Sequence, residues 1–448
     1  MSDPTNPTTK NIVIQGVSED TINILVDGVS QQLQKKLDVL QEFMEKQAAK
    51  SIQSANNIYN IGSITNANFG YLMGQAGSEK SLPPVLAQSL VGDGSGWIQS
   101  LERQLIKDGI TVSDQAWDIF QNYDWLIQAF LQKMCTTVGQ EKNLRRLSFM
   151  AEVYQASIRY LSYIQVVQIL QMDKKTKLGI VSDFIQMEGS EYLEFDYTSL
   201  LLVTTDHLVN NGLGFIPEIK DFVDELNNRD SDLFGTALYL ENQRKKLLLN
   251  QIPEDDKLTI VLDEYLTALV YWLRSISFLA NYSLVSIKDI QLDYRLGTSK
   301  NFVHLFGELD GVYQDGKSSD GDYKSKSIKD SFTFSKSILL FRGSNVASSM
   351  ANLKDPKTTL SLSPLLIDQS VYIDKETQTP EIYYYTGYTK SKRQYHYAQY
   401  KNEIPYGKGE IETNKYLEVT AQNNVQPLLD DLFELLDELF APFKISAS

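Results

Sequence analysis

The stretch "NLRRLSFMAEVYQASIRYLSYIQVVQIL", residues 143–170, decides how the rest of the chain is organised. It is long and apolar enough to be a central helix, and a helix without a wide polar face must be enclosed by its neighbours. Segments on both sides carry helical signals of their own. Upstream, "GWIQSLERQLIKDG" places Trp97, Leu101 and Leu105 at i, i+4 and i+8, with Gly109 positioned to end the helix. "SDQAWDIFQNYDWLIQAFLQKM" opens on Ser113, whose hydroxyl is able to cap a helix N-terminus. Downstream, "IPEIKDFVDELN", "DLFGTALYLENQRKKLLLNQ" and "DDKLTIVLDEYLTALVYWLRSISFLANY" continue the pattern. Residues 97–310 therefore read as a helical domain.

The character changes at "GVYQDGKSSDGDYKSKSIKD", 311–330, where Gly, Ser, Asp and Lys dominate; this reads as an exposed loop or linker. Beyond it, "FTFSKSILLF", "TTLSLSPLLI", "SVYID", "EIYYYTGY" and "RQYHYAQY" have the Tyr, Ile and Thr content of strands. "VQPLLDDLFELLDELFAPF" then reads as an amphipathic helix starting after Pro427. Its apolar side carries Leu428, Leu432, Leu435, Leu436 and Leu439. Its polar side carries Asp430, Asp431, Glu434, Asp437 and Glu438 and no base. Residues 331–448 are thus expected to form a β-rich domain closed by that helix, either as core or as an interaction helix for a basic partner.

Toward the N-terminus, "NIVIQGVSEDTINILVDG" alternates as two short strands about a "SED" turn. Val29, Leu33, Leu37, Leu40 and Met44 then form a narrow helical stripe able to pair with another helix. In "NNIYNIGSITNANFG", 56–70, Ile58, Ile61 and Ile64 recur among asparagines beside Tyr59 and Phe69. Two readings stand: a turn-rich connector whose isoleucines cover the helix, or an addition strand in which Asn ladders and Ile interdigitates. Gly62 and Gly70 weigh toward the connector. Residues 1–73 are expected to form an adaptor module, and 74–96 a linker. The fold class expected overall is α+β: a small hairpin-plus-helix module, a large helical middle, and a C-terminal antiparallel sheet closed by a helix.

Bulk properties bound the function. The formal charge of −15 over 448 residues argues against general binding to nucleic acid or anionic membrane. One cysteine, Cys135, precludes an intramolecular disulfide framework and fits a reducing compartment. The N-terminus lacks a signal-peptide pattern, and no apolar run is long enough to span a bilayer, so a cytoplasmic protein is expected.

Motifs for chemistry are sparse. In "GQAGSEKS", 74–81, Glu79 stands where a phosphate-binding loop needs glycine before Lys80, and Pro83–Pro84 interrupt the helix that such a loop would lead into. "GDGSG", 92–96, lacks dinucleotide spacing. His207, His304 and His396 are far apart in sequence and form no i, i+3 or i, i+4 ligand pair, and no G-x-S-x-G elbow occurs. No catalytic residue, metal or cofactor is expected. One cluster stands out: Tyr385, Tyr388, Tyr395 and Tyr397 interleave with Lys390, Lys392 and Arg393. Aromatic planes plus cations suit nucleotides or phosphorylated ligands. A plain hairpin with half-packed tyrosines is the favoured reading, because β-strands are rich in tyrosine anyway.

"TINILVDGVSQQLQKKLDVLQEFMEK" followed by "IYNIGSITNANFG" resembles the N-terminal effector-associated modules of bacterial defence and conflict proteins, including STAND-type (NLR-like) ATPases. "SFLANYSLVSIKDIQLDYR" and "LSLSPLLIDQSVYIDKETQTPEIYYYTGY" resemble later segments of the same bacterial proteins. The similar stretches carry no catalytic residues, and the Walker sequence of a STAND core has no counterpart. The resemblance implies a stand-alone adaptor, sensor or regulator of a bacterial defence or signalling system. It would meet another protein, a defence effector or an ATPase acting in trans, or associate with itself through 1–73. The expectation is a non-enzymatic protein–protein interaction component that engages its partner through Leu33, Leu37, Leu40, Ile58, Tyr59, Ile61, Ile64 and Phe69. The alternatives are a ligand- or nucleotide-binding sensor using the Tyr/Lys hairpin, and an enzyme of unrecognised type.

Overall fold

The computed structural model describes residues 82–87, 96–172, 178–252, 257–293, 301–309, 312–314, 317–319, 324–328, 335–343, 358–372, 379–403, 414–421 and 427–444. All belong to one unit within Ile61–Ser448. The expected partner-binding residues Leu33, Leu37, Leu40, Ile58, Tyr59, Ile61, Ile64 and Phe69 lie outside the described residues, as do the loops 74–81 and 92–95.

The architecture is α+β. The longer helices are α1 (Gly96–Lys107), α2 (Trp125–Cys135), α3 (Leu144–Gln171), α4 (Tyr197–Asn210), α5 (Glu218–Asn227), α6 (Asp232–Leu248), α7 (Lys257–Ser275) and α8 (Pro427–Phe440). Helix α1 buries Trp97, Leu101 and Leu105, and Gly109 comes after its last turn at φ +82°, a conformation that favours glycine. Helix α3 is enclosed on nearly all sides; of its residues only Arg145, Gln168 and Gln171 escape burial. Asn143 caps it, its side chain accepting from the Arg146 N–H at 3.1 Å.

The enclosed polar groups of α3 reach outward to its neighbours. Ser157 accepts from Trp272 Nε1 of α7 at 2.7 Å, and Ser162 donates to the Tyr197 carbonyl of α4 at 2.9 Å. Tyr163 donates to the Tyr385 carbonyl of the sheet at 2.5 Å. Buried polar groups need such partners, so α3 is fixed in rotation as well as in depth.

The strands are β1 (Tyr282–Asp293), β2 (Asn301–Glu308), β3 (Val312–Gln314), β4 (Lys317–Ser319), β5 (Lys324–Ile328), β6 (Ser337–Arg342), β7 (Thr359–Ser361), β8 (Leu366–Asp368), β9 (Ile382–Thr389), β10 (Gln394–Gln399) and β11 (Tyr416–Thr420). They form antiparallel sheets ordered β5-β2-β1-β6-β7 and β11-β10-β9-β8, with β3 and β4 as a separate pair. In β1 and β6 alternate residues serve two clusters. Leu284, Ile338 and Leu340 join the main core, whereas Val285, Ile287, Leu339 and Phe341 form a smaller one with Phe306. Asp368, 3% exposed, ties the larger sheets together. It accepts from the Ser286 hydroxyl of β1 at 2.6 Å, from the Ser370 hydroxyl at 2.7 Å, and from the Glu381 N–H at 2.9 Å.

Four features differ from the sequence reading. Strand structure begins at Tyr282, inside 97–310, because "YSLVSI" directly follows a helix and its apolar run carries no helix-ending glycine or proline. The polar stretch 311–330 carries β3, β4 and β5; ladder pairing needs backbone groups rather than apolar side chains, and lysines suit the outer strand β5. "SDQAWDIFQNYDWLIQAFLQKM" is two helices, Ala116–Phe120 and α2, with Asp124 between them. Within 74–96, Leu82 and Leu86 are buried in the main core. That core draws on described residues from Leu82 to Phe443, so the helical and strand-rich stretches share a main interior, with the smaller sheet cluster beside it.

Two contacts in this interior have measurable consequences. Gly387 of β9 has φ +148°, and a Cβ there would lie 2.1 Å from the Met187 carbonyl oxygen, which accepts from the Tyr388 N–H at 2.8 Å. Gly387→Ala is expected to destabilise the protein by about 3 kcal/mol in urea unfolding, with Gly96→Ala nearly neutral as the control. Asp124, 6% exposed, accepts from Tyr160 of α3 at 2.5 Å, and burial raises its carboxyl to about 7 from an ordinary 3.8. The folded protein therefore keeps a proton that the unfolded chain releases between those values. Stability from this group is full below the lower value and is lost as pH rises through the upper one, by at most roughly 1.4 kcal/mol per pH unit. Asp124→Asn should shrink the stability difference between about pH 4.5 and about pH 7.5; an undiminished difference would remove Asp124 as its source.

Candidate functional site

The Tyr/Lys cluster folds as a hairpin. Strands β9 and β10 pair Tyr395 with Tyr388 and Tyr397 with Tyr385 across a bulge at His396/Tyr397. A short 3-10 turn, Lys390–Lys392, joins them, and Arg393 takes the left-handed conformation at φ +50°. The structure separates the two halves of the expected ligand site. Lys390, Lys392 and Arg393 are exposed on the turn, whereas Tyr385, Tyr388, Tyr395 and Tyr397 are buried.

Three of the four tyrosine hydroxyls are satisfied inside. Tyr385 donates to the Ile185 carbonyl at 2.6 Å, Tyr397 to the Pro364 carbonyl at 2.8 Å, and Tyr395 to Asp437 at 3.1 Å. Helix α8 covers this face, with Phe440 against Tyr385 and Tyr395 and Phe433 against Tyr395. These four rings are core, and they present no open aromatic platform beside the turn cations. Strand alternation on a sheet buried on both sides is the physical reason.

Where α8 meets the hairpin, a charged cluster closes the edge. Lys444 bonds Asp437 at 2.6 Å and the Tyr395 hydroxyl at 2.5 Å, and its ammonium lies 4.6 Å from the Tyr388 ring centroid. Arg393 stands 3.5 Å from Asp437. Partial burial pushes the Asp437 carboxyl up. The Lys444 hydrogen bond and charge, the Tyr395 hydrogen bond and the Arg393 charge outweigh it, so the group lies below its ordinary value. On α8 itself Leu429, Leu432, Phe433, Leu436 and Phe440 face inward, and Leu435 is 40% exposed rather than part of the apolar side.

Reactive groups elsewhere are held in quiet settings. Cys135 is half-buried, and burial pushes its thiol up to about 11, against any nucleophilic role near neutral pH. His304 is buried on β2, and His396 bonds Thr389 at 2.7 Å; burial lowers the pKa of both rings. His207 lies on the surface of α4 next to Asn211. Among the described residues, no group of three His, Cys, Asp or Glu side chains is placed to hold a metal ion, and no helix is long and apolar enough to cross a membrane.

An open groove of about 460 Å³ lies where the end of α1, helix α5 and the end of α7 converge. Helix α5 sends Ile219, Phe222, Val223 and Leu226 into the core and turns Glu218, Asp221 and Glu225 toward the groove. Asp108 faces them from beyond the end of α1, held by Gln104 at 2.9 Å and by the Ser277 hydroxyl at 2.5 Å. Phe222, Tyr271 and Phe278 supply aromatic walls, and Phe222 is itself braced edge-on against Trp272 at 5.4 Å. Arg274 reaches Gln104 Oε1 at 3.4 Å. Among the described residues, no Lys or Arg lies within ion-pair distance of Asp108, Glu218, Asp221 or Glu225. Tyr282 donates to Glu218 at 2.9 Å and fixes its direction.

The charged cluster at α8 makes a pH prediction. Asp437 has a depressed pKa in the folded state, so its contribution is present above the ordinary carboxylate value and is lost as pH falls through the folded one. Asp437→Asn is expected to lower the melting temperature at neutral pH and to match the wild type at about pH 2.5. The side chain is 39% exposed, so the loss should stay within about 1 kcal/mol. Comparison of the chain with protein-family models, with curated proteins and with solved structures returns no match.

Proposed function

We propose that this protein is a non-catalytic binding component that captures a basic segment of another protein in the groove between α1, α5 and α7. The observation that carries the reading is the row of carboxylates Glu218, Asp221 and Glu225, free of ion-pair partners among the described residues, standing over aromatic walls. Carboxylates attract Lys or Arg side chains, and Tyr271 and Phe278 can take the same cations on their ring faces. Outside such a complex, among the described residues, Arg274 is the one cation lining the groove beside these three acids and Asp108, so negative charge is in excess there. A cationic partner balances that excess, so affinity and selectivity have the same origin. The overall charge of −15 would speed encounter with a basic partner and disfavour nucleic acid.

The setting is part of the proposal. The resemblance of the N-terminal stretch to effector-associated modules supports a bacterial defence or signalling system, with an effector or ATPase acting in trans as the protein that carries the basic segment. The groove would then serve recognition, and 1–73 would serve as a second adaptor surface.

The test uses the full chain, titrated with Lys/Arg-rich peptides and with the products of adjacent genes. Binding should weaken steeply with salt and fall at least about tenfold in Asp221→Lys/Glu225→Lys, both solvent-exposed positions whose reversal leaves the melting temperature nearly unchanged. Equal capture by wild type and double variant would remove the groove from the interaction.

A further inference from the structure

Helices α4 and α5 face each other across a second cleft, of about 260 Å³, which shares no lining residue with the acidic groove. From α4 it takes Leu202, Thr205, Asp206, Val209 and Asn210, an i, i+3, i+4, i+7, i+8 stripe that lies on one helix face. Helix α5 supplies Lys220, Val223, Asp224 and Asn227 from the opposite wall. Leu202 and Val223 are buried and form an apolar floor.

Thr205 is the unsatisfied member of this cleft. It is 4% exposed, and its hydroxyl is buried without a hydrogen-bond partner among the described residues. A threonine inside a helix commonly settles its hydroxyl on the carbonyl one turn back. Thr204, Thr236 and Thr267 do so, donating to the carbonyls of Leu200, Asp232 and Asp263 at 2.6, 2.6 and 2.8 Å. Thr205 makes no such bond, and an unmet buried hydroxyl is costly.

The walls mix donors with acceptors. Lys220 and Asp224 pair with each other one turn apart on α5. Asn210 donates to one oxygen of Asp206 at 3.0 Å, and the other oxygen takes no hydrogen bond among the described residues. Asn227 adds an amide that both donates and accepts. An ammonium ligand brings only donors, and a carboxylate or phosphate only acceptors, so either would leave part of this set facing its own kind. A hydroxyl donates and accepts at once, and the C–H face of a sugar ring suits the floor of Leu202 and Val223.

We propose that this cleft binds a small neutral polyol of monosaccharide size, with Asp206 and Asn227 taking its hydroxyls and Thr205 bonding the one that enters deepest. The volume lies just under the range of about 300–1,000 Å³ found for drug-sized ligands, which fits one sugar ring and not a chain of them. The assignment is independent of the acidic groove, and neither needs the other.

The test is calorimetric titration of the full chain with glucose, galactose, ribose and myo-inositol, with acetate and putrescine as charged competitors. At least one polyol should bind saturably, with an affinity insensitive to salt because the ligand carries no charge, and neither competitor should displace it. Thr205→Val should lower that affinity at least about tenfold while leaving the ligand-free protein as stable as the wild type or more so, since the hydroxyl removed has no partner there. A threonine with a purely structural role would do the reverse, lowering the unfolding temperature and sparing affinity. Asp206→Asn should also weaken binding at least about tenfold. The proposal is overturned if none of the four polyols binds, if acetate or putrescine displaces the bound polyol, or if Thr205→Val keeps wild-type affinity. Should Thr205→Val fail to fold, Asp206→Asn and Asn227→Ala decide the matter, and unchanged affinity in both would overturn it.

Discussion

The enclosure of α3 is the constraint on which the other elements depend. A helix buried along nearly its whole length cannot turn polar atoms to water, so most of the polar side chains it carries are drawn to partners on neighbouring elements. Ser157 reaches α7, Ser162 reaches α4, Tyr160 reaches Asp124 ahead of α2, and Tyr163 reaches the backbone of β9. Helices and sheet are consequently joined through one axis. The apolar contacts set how tightly they approach, and these hydrogen bonds set which atoms must face each other.

Where one side-chain pattern serves one neighbour, sequence and structure agree. Trp97, Leu101, Leu105 and Gly109 define α1 with little ambiguity, because an isolated stripe ending in glycine has one simple interpretation. The central placement of α3, the terminal helix and the Tyr-rich hairpin are equally legible. Agreement fails where tertiary pairing overrides local pattern. "YSLVSI" is compatible with helix until β2 and β6 are present to pair with it, and "KSKSI" is compatible with loop until β2 offers a ladder. Leu82 and Leu86 read as linker because so short a piece between glycine-rich stretches has no periodicity to recognise.

Site residues are less legible than elements, and for a related reason. Tyr385, Tyr388, Tyr395 and Tyr397 sit close to Lys390, Lys392 and Arg393 in sequence, yet the turn projects the cations outward while the strands draw the rings inward. Proximity along a chain is a poor guide to a shared surface on a sheet covered from both sides. The groove has the opposite character: Asp108, Glu218 and Arg274 are far apart in sequence and converge only when α1, α5 and α7 pack. The i, i+3, i+7 spacing of Glu218, Asp221 and Glu225 is visible in the sequence, but it is also the ordinary spacing of a solvated helix face.

The position of α8 in the chain has a consequence for biosynthesis. The tyrosine side of β9 and β10 is covered by Phe433 and Phe440, both translated after the hairpin is complete. Until those residues clear the ribosomal exit tunnel, a paired but uncovered aromatic sheet face is exposed to the crowded cell. Nascent chains stalled before 427 would therefore be the natural clients of chaperones, and premature termination there would yield aggregates rather than a shortened functional protein.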